Sequence, residues 1–452
     1  MSTMTLKKAA IINMIGKYSN VLIQLIINAI LARLLSPEDF GVVALITVFT
    51  NFFLVLSDMG ISTGIIQRKD LTNMDNNSIF SFTVILGIIL AVLFAILGFF
   101  ISNFYNNDIM ITLCILLTVS VFFNTINMVP NAILLKNMDF VSIAIRTLLV
   151  NIIVGIITII LAIIGFKYYS LIINSILVSI LTFILTIRKA PVKFCKIDKS
   201  SLKKISSISS FQFYFSFVNY FSRNLDNLTI GKFLGSSPLA YYDKAYKLMM
   251  YPNTMLTGVI STALHPILSN YVEQPKIIYK KYLDVLKFTL LLGVPIATIC
   301  FFSADEIISI VYGNRWLQAS NILKILSFSL LVQLCLSSTG AIFQSLGKTK
   351  DMFYIGLTNT FILCSFILVF LILKKSLLFV ALGVMIGYNL NFFITYLILF
   401  IILFFLKDIN IDNVFLSLII KSLFICIAYL FILLLFKEKI IVDILKRIKI
   451  RR

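Results

Sequence analysis

Residues 219–235 read "NYFSRNLDNLTIGKFLG", an apolar run that nevertheless carries Arg223 and Asp226 three positions apart. Read outward, its last seven residues open the segment "TIGKFLGSSPLAYYD" from Thr229, which aligns with "ILARLLSPEDFGVVA" from Ile30 at an offset of 199. Arg33 then matches Lys232, Leu35 matches Leu234, Phe40 matches Leu239 and Gly41 matches Ala240. The same register carried backwards puts Asn20, Gln24 and Asn28 opposite Asn219, Arg223 and Asn227. Each triplet is spaced i, i+4, i+8, so it forms one polar stripe along one helix face. A chain that repeats this stripe is expected to fold as two equivalent lobes whose stripes face each other.

Composition fixes the medium around those stripes. With 60% hydrophobic residues, 13% charged residues, a mean hydropathy of +1.02 and 41 Phe among 452 residues, too little polar surface remains to cover a soluble core. Apolar runs of about 20 residues, the length a helix needs to cross hydrocarbon, recur at 10–35, 40–66, 78–101, 109–135, 141–165, 168–187, 209–234, 248–271, 283–302, 320–346, 352–373, 377–406 and 414–436. The fold class is therefore an all-α integral membrane protein. Six spans precede the polar stretch "RKAPVKFCKIDKSSLKKISSI" at 188–208, so the two repeats run in the same direction, the parallel arrangement of transporters whose lobes rock about a central site. This divides the chain into a first six-helix lobe at 1–190, a basic cytoplasmic linker at 191–208, a second six-helix lobe at 209–406, and an extra hydrophobic helix with a basic tail at 407–452.

With a cytoplasmic N-terminus, eighteen Lys and Arg fall in inside links and six, Lys244 and Lys247 among them, in outside links. That is the positive-inside bias. It accounts for the net charge of +20 without nucleic acid, for which no basic patch with interleaved aromatics exists. After residue 436 the run "KEKIIVDILKRIKIRR" is too short and basic to cross, so 414–436 is expected not to span fully, or 440–450 to lie along the membrane surface. The six cysteines lack paired spacing, which argues against a disulfide framework or a metal site. "SLGKT" at 345–349 has Ile342 where a phosphate loop needs glycine, and it follows a span instead of a strand. No cofactor is expected.

Ionisable groups within spans are costly and usually face protein interior or a wet cavity. Arg223 and Asp226 meet that description, with two readings open: an ion pair within one turn that only fixes the helix, or an arginine that meets an anionic substrate. The Asn and Gln stripes likewise read either as hydrogen bonding that joins helices or as a surface for sugar hydroxyls. Asp58, placed well inside a span, and Asp226 are the candidates for ion coupling. Arg33 and Lys232, near the outer ends, are expected to snorkel to the interface.

The segments "ARLLSPEDFGVVAL", "SDMGISTGIIQRKDLT", "VPNAILLKNMDF", "NYFSRNLDNLTIGKFLGSSPLAYYDKAYKLMMYP" and "STGAIFQSLGKTKD" resemble, in order and spacing, the polysaccharide-transport (Wzx-type) branch of the multidrug/oligosaccharidyl-lipid/polysaccharide flippase superfamily. The resemblance covers about residues 5 to 405. It implies two six-helix lobes in the bacterial cytoplasmic membrane and no enzymatic activity. Its implied cargo is a polyprenyl-diphosphate-linked oligosaccharide, carried from the inner to the outer leaflet for O-antigen, capsule, exopolysaccharide or teichoic-type glycan assembly. The partners so implied are that cargo, the lipid bilayer, and the polymerase and glycosyltransferases of the same route. In this reading Asn20, Gln24, Asn28, Asn219, Arg223 and Asn227 line a groove between the lobes, with Arg223 on the diphosphate and the amides on sugar hydroxyls. The related murein-precursor flippases hold basic residues in the first span, where this chain has apolar ones such as Val21 and Ile27, so that charge pattern does not carry over. Another cargo in the same fold, or a membrane-embedded polymerase or glycosyltransferase, are the competing readings.

Overall fold

A computed structural model describes residues 6–68, 70–269, 275–345 and 349–405. Fourteen helices follow one another there: α1 Leu6–Leu34, α2 Pro37–Asp58, α3 Ile61–Gln67, α4 Asn73–Tyr105, α5 Ile109–Lys136, α6 Phe140–Ile164, α7 Tyr168–Lys189, α8 Lys199–Leu234, α9 Ser236–Ser269, α10 Pro275–Phe302, α11 Ala304–Val311, α12 Gln318–Ser345, α13 Thr349–Leu373 and α14 Leu377–Phe405. A short 3-10 turn at Asn314–Trp316 joins α11 to α12.

Local chemistry sets the helix ends. In "SPED" Ser36 caps α2, accepting the Asp39 amide while the Asp39 side chain accepts from the Ser36 backbone, and Pro37 sits at the first turn where its missing N–H costs nothing. Thr72 and Asp75 repeat the device at the start of α4. The predicted span 40–66 is broken after Asp58, because Met59 and Gly60 both take the left-handed conformation, with φ of 41° and 74°. At Gly235 a φ of +96° lets the chain leave α8 and enter α9 one residue later.

Twelve of the thirteen predicted spans coincide with long helices, and 414–436 lies outside the described residues, as does the rest of 407–452. Ten of the helices are long and apolar enough to cross a membrane. The other two, α8 and α9, are the longest, at 36 and 34 residues, and the more polar. At 1.5 Å per residue α8 is about 54 Å long, so its first turns stand clear of the hydrocarbon. There Asp75 accepts from Lys204 at 2.8 Å and from Ser201 at 2.7 Å, which docks the basic linker against the start of α4.

Helix neighbours repeat along the chain. α1 packs on α6, α4 on α5, and α7 on both α5 and α6; correspondingly α8 packs on α13, α10 on α12, and α14 on both α12 and α13. The two sets meet chiefly through α2, which lies against α8 and α9. The contact is tightest at the outer end, where Gly41 approaches the backbone of Ser236 so closely that a Cβ there would stand 2.1 Å from its carbonyl oxygen. Around it one continuous core joins Ala32, Val42 and Leu45 of the first set to Leu239, Tyr242 and Trp316 of the second.

Candidate functional site

Polar residues on apolar helices converge on two cavities at membrane depth. The first, about 510 Å³, opens between α1, α6 and α7 on one side and α9 on the other. Gln24 and Asn28 line it from α1, Asn151 and Asn174 from α6 and α7, and Lys247, Tyr251 and Thr254 from α9. Asn151 donates to the Asn20 side-chain oxygen, so Asn20 holds this wall in place. Lys247 is bonded to Asp243 at 2.7 Å one turn away, with its side chain 59% exposed.

The second cavity, about 300 Å³, lies within the second helix set. Asn219 and Arg223 of α8 face Ser337 and Thr339 of α12, Asn359 and Thr360 of α13, and Asn391 and Thr395 of α14. Amides and hydroxyls here bond one another, Asn359 to Thr395 at 3.3 Å and Thr395 to Asn391 at 3.0 Å, while the Asn359 side-chain oxygen is buried without a partner. Arg223 is exposed to this space and makes no ion pair or hydrogen bond among the described residues. Neither lining contains an Asp or Glu.

The two stripes therefore sit at matched depth on their helices, yet they line different cavities. Asn227 lines neither, and its side-chain oxygen is buried without a partner. Asp226 is turned away from Arg223: Tyr242 donates to it at 2.6 Å and the Asn227 amide at 2.8 Å, leaving the side chain 6% exposed. The ion pair read within one turn is thus replaced by a buried carboxylate–tyrosine pair between α8 and α9. Asp58 is the last residue of α2, at the break before α3 within the candidate span Pro37–Gln67, and it accepts the Ser62 amide of α3 at 3.1 Å.

One further reading gains partners and another changes. Arg33 and Lys232, near the outer helix ends, each reach the opposite helix set: Arg33 donates to the Ile310 carbonyl at 2.7 Å and Lys232 to the Phe104 carbonyl. Lys244, placed in an outside link by sequence, lies on α9 and is 2% exposed, because that helix begins twelve residues before the apolar run at 248. Asn151, Asn174, Asn359 and Asn391 were passed over in sequence, although a single amide in an apolar span is the signal that finds such residues.

A family model described as "Polysaccharide biosynthesis protein" matches residues 30–321, more than half of the chain. The chain belongs to the polysaccharide biosynthesis protein family. Among relatives of this family member, the teichuronic acid biosynthesis protein TuaB of Bacillus subtilis is 24% identical, over 74% of this chain and 70% of TuaB. The lipopolysaccharide biosynthesis protein WzxC of Escherichia coli is 21% identical, over 74% and 68%. The fold matches an inward-facing multidrug resistance MATE transporter at a TM-score of 0.71 and 17% identity, covering 89% of this chain and 99% of that one. It matches the lipid II flippase MurJ in an inward closed conformation at 0.71 and 18%, covering 93% and 98%. This member of the polysaccharide biosynthesis family is accordingly a multi-pass membrane protein that shares its fold with those two solved structures.

Proposed function

We propose that this family member flips a polyprenyl-diphosphate-linked oligosaccharide across the bacterial cytoplasmic membrane by alternating access. One observation supports it above the rest: the polar groups lining each cavity are amides, hydroxyls and a single cation, Arg223 unpaired and Lys247 bonded to Asp243, and neither lining includes a carboxylate. A diphosphate bearing sugars loses hydration on entering hydrocarbon, and only such groups replace it. A cationic drug would instead need an acidic lining, which disfavours the drug-exporter reading. The names of the relatives concern teichuronic acid and lipopolysaccharide biosynthesis.

In this mechanism Arg223 pairs with the diphosphate on the inner side, Asn359 and Asn391 exchange their bonds with Thr395 for sugar hydroxyls, and Asn219 joins them. Gln24, Asn28, Asn151 and Lys247 receive the head in the cavity between the helix sets, while the polyprenyl tail stays in lipid. Rocking of one set on the other about α2, α8 and α9 then changes the side to which the head is exposed. Asp226, buried against Tyr242 at the hinge side of Arg223, is the carboxylate assigned to ion coupling. The test is deletion in the native host with fractionation of lipid-linked intermediates. Repeat units accumulating on the cytoplasmic leaflet support the reading, whereas single units accumulating outside identify loss of a polymerase instead. Arg223→Ala at unchanged protein level must reproduce the deletion, and full transport by that variant removes Arg223 from the mechanism.

A further inference from the structure

Three basic side chains cross the outer seam between the helix sets, and none ends on a carboxylate. Arg33 and Lys232, equivalent at the offset of 199, each reach a main-chain carbonyl of the opposite set, Ile310 and Phe104. The third is Lys244. Its ammonium lies 3.7 Å from the ring centre of Phe40, 5.1 Å from that of Tyr312 and 5.6 Å from that of Trp316. Its hydrogen bond runs to the Asn28 side-chain oxygen at 3.2 Å. Asp243, its neighbour in sequence, is taken by Lys247.

A buried ammonium in a membrane protein ordinarily has a carboxylate partner or reaches water. Ring faces and one neutral amide hold Lys244 without neutralising it. Phe40 and Asn28 belong to the first helix set and Lys244 to the second, so this contact is also one of those that keep the seam closed. Asn28 lines the cavity between the sets one turn further out than Gln24, so the amide held by Lys244 lies at the outer part of the path that an anion moving outward through that cavity follows. A phosphate oxygen is the stronger acceptor, because the bond it makes with an ammonium is charged on both sides.

We propose that Lys244 is an anion-responsive pin: it holds the outer seam shut across Phe40 and Asn28 until a diphosphate-bearing head arrives, and then becomes that head's counter-cation. Withdrawal of the ammonium removes the contact that Phe40, Tyr312 and Trp316 share, so arrival of cargo and loosening of the seam become one event. This rests on the anionic-cargo reading of the function, and adds to it the residue that couples charge to gating.

Trp316 is the chain's only tryptophan and is fully buried, so it reports on the cage directly. The full-length protein in lipid nanodiscs is titrated with inorganic pyrophosphate and, separately, with a short prenyl diphosphate, while Trp316 emission and its quenching by acrylamide are followed at constant ionic strength. The wild type is expected to show increased quenching with at least one of the two. A response to the prenyl compound alone assigns the site to lipid-borne anions, and a response to both assigns it to the diphosphate itself. Lys244→Gln is expected to weaken the apparent affinity by about tenfold or abolish the response, Lys244→Arg to retain it, and Lys287→Gln, at an exposed lysine of α10 paired with Asp284, to leave it unchanged. Should Lys244→Gln not fold, Phe40→Leu serves, with raised quenching expected before any anion is added. Absence of a response in the wild type, or an equal response in Lys244→Gln, overturns the proposal. If deletion of the gene blocks export of lipid-linked units and the pyrophosphate and prenyl diphosphate titrations are both flat, the pin fails and the flippase reading survives. If the titrations depend on Lys244 and export is intact, the reverse holds.

Discussion

Replacing Gly41 by alanine tests whether the outer seam closes as described. The added methyl would stand 2.1 Å from the Ser236 carbonyl oxygen and 2.4 Å from its carbon, both main-chain atoms that no rotamer change can move. Ordinary contact begins near 3.4 Å, so α2 and α9 must part by about 1.3 Å at this point. Overpacking of this kind costs about 1–3 kcal/mol. Because the strain exists only while the seam is shut, it multiplies the ratio of open to closed molecules by about 5 to 150. Trp316, bonded through its ring nitrogen to the Ala32 carbonyl at 2.8 Å across the same seam, is the probe. Acrylamide quenching of its emission should rise in Gly41→Ala, and transport should fall as the closed state becomes scarce. Quenching and melting temperature both equal to wild type would refute the close approach of α2 to α9.

Three other outcomes follow from the same geometry. Arg223→Lys should keep part of the transport that Arg223→Ala loses, since a point charge replaces some but not all of a bidentate phosphate contact; equal loss in both would show that the planar fork is indispensable. Asp75→Asn leaves Lys204 and Ser201 without their shared acceptor, and is expected to lower detergent-solubilised stability by about 1–3 kcal/mol and to raise proteolysis within 191–205; an unchanged melting curve with an intact linker contradicts the docking. At the outer surface, burial alone would raise the Asp305 carboxyl, but hydrogen bonds from Lys324 and Ser320 outweigh it and hold the group below its ordinary range. Its contribution is therefore present at neutral pH and lost as pH falls through the lowered value, so Asp305→Asn should melt below wild type at pH 7 and converge with it only once the pH has dropped below the ordinary carboxylate range. Curves that stay apart in acid would contradict the assignment.

How far the sequence was legible differs between the helices and the site. Span positions were readable because hydrocarbon leaves a chain no choice but long apolar helices with satisfied backbones, and each break in the pattern, such as "SPED" or Gly235, carries its own capping chemistry. The repeat at an offset of 199 was readable too, since α1 and α8 end within one residue of that register. Helix length on the polar side was not. Lys244 and Lys247 look like loop residues only because charge interrupts the hydropathy signal, while α9 tolerates them where Phe40, Trp316, Asn28 and Asp243 are waiting.

The amino-acid sequence by itself determined that the protein is a bundle of membrane helices, where its halves divide, and which residues are polar enough to matter. Only the tertiary structure decided where those residues go: Gln24 and Arg223 into separate cavities, Asp226 to Tyr242 instead of Arg223, and Arg33, Lys232 and Lys244 across the seam to partners 128 to 277 positions away in the chain. The physical reason is that hydropathy and capping act on neighbours along the helix, whereas a charge in the membrane is satisfied by whatever group packing brings to it.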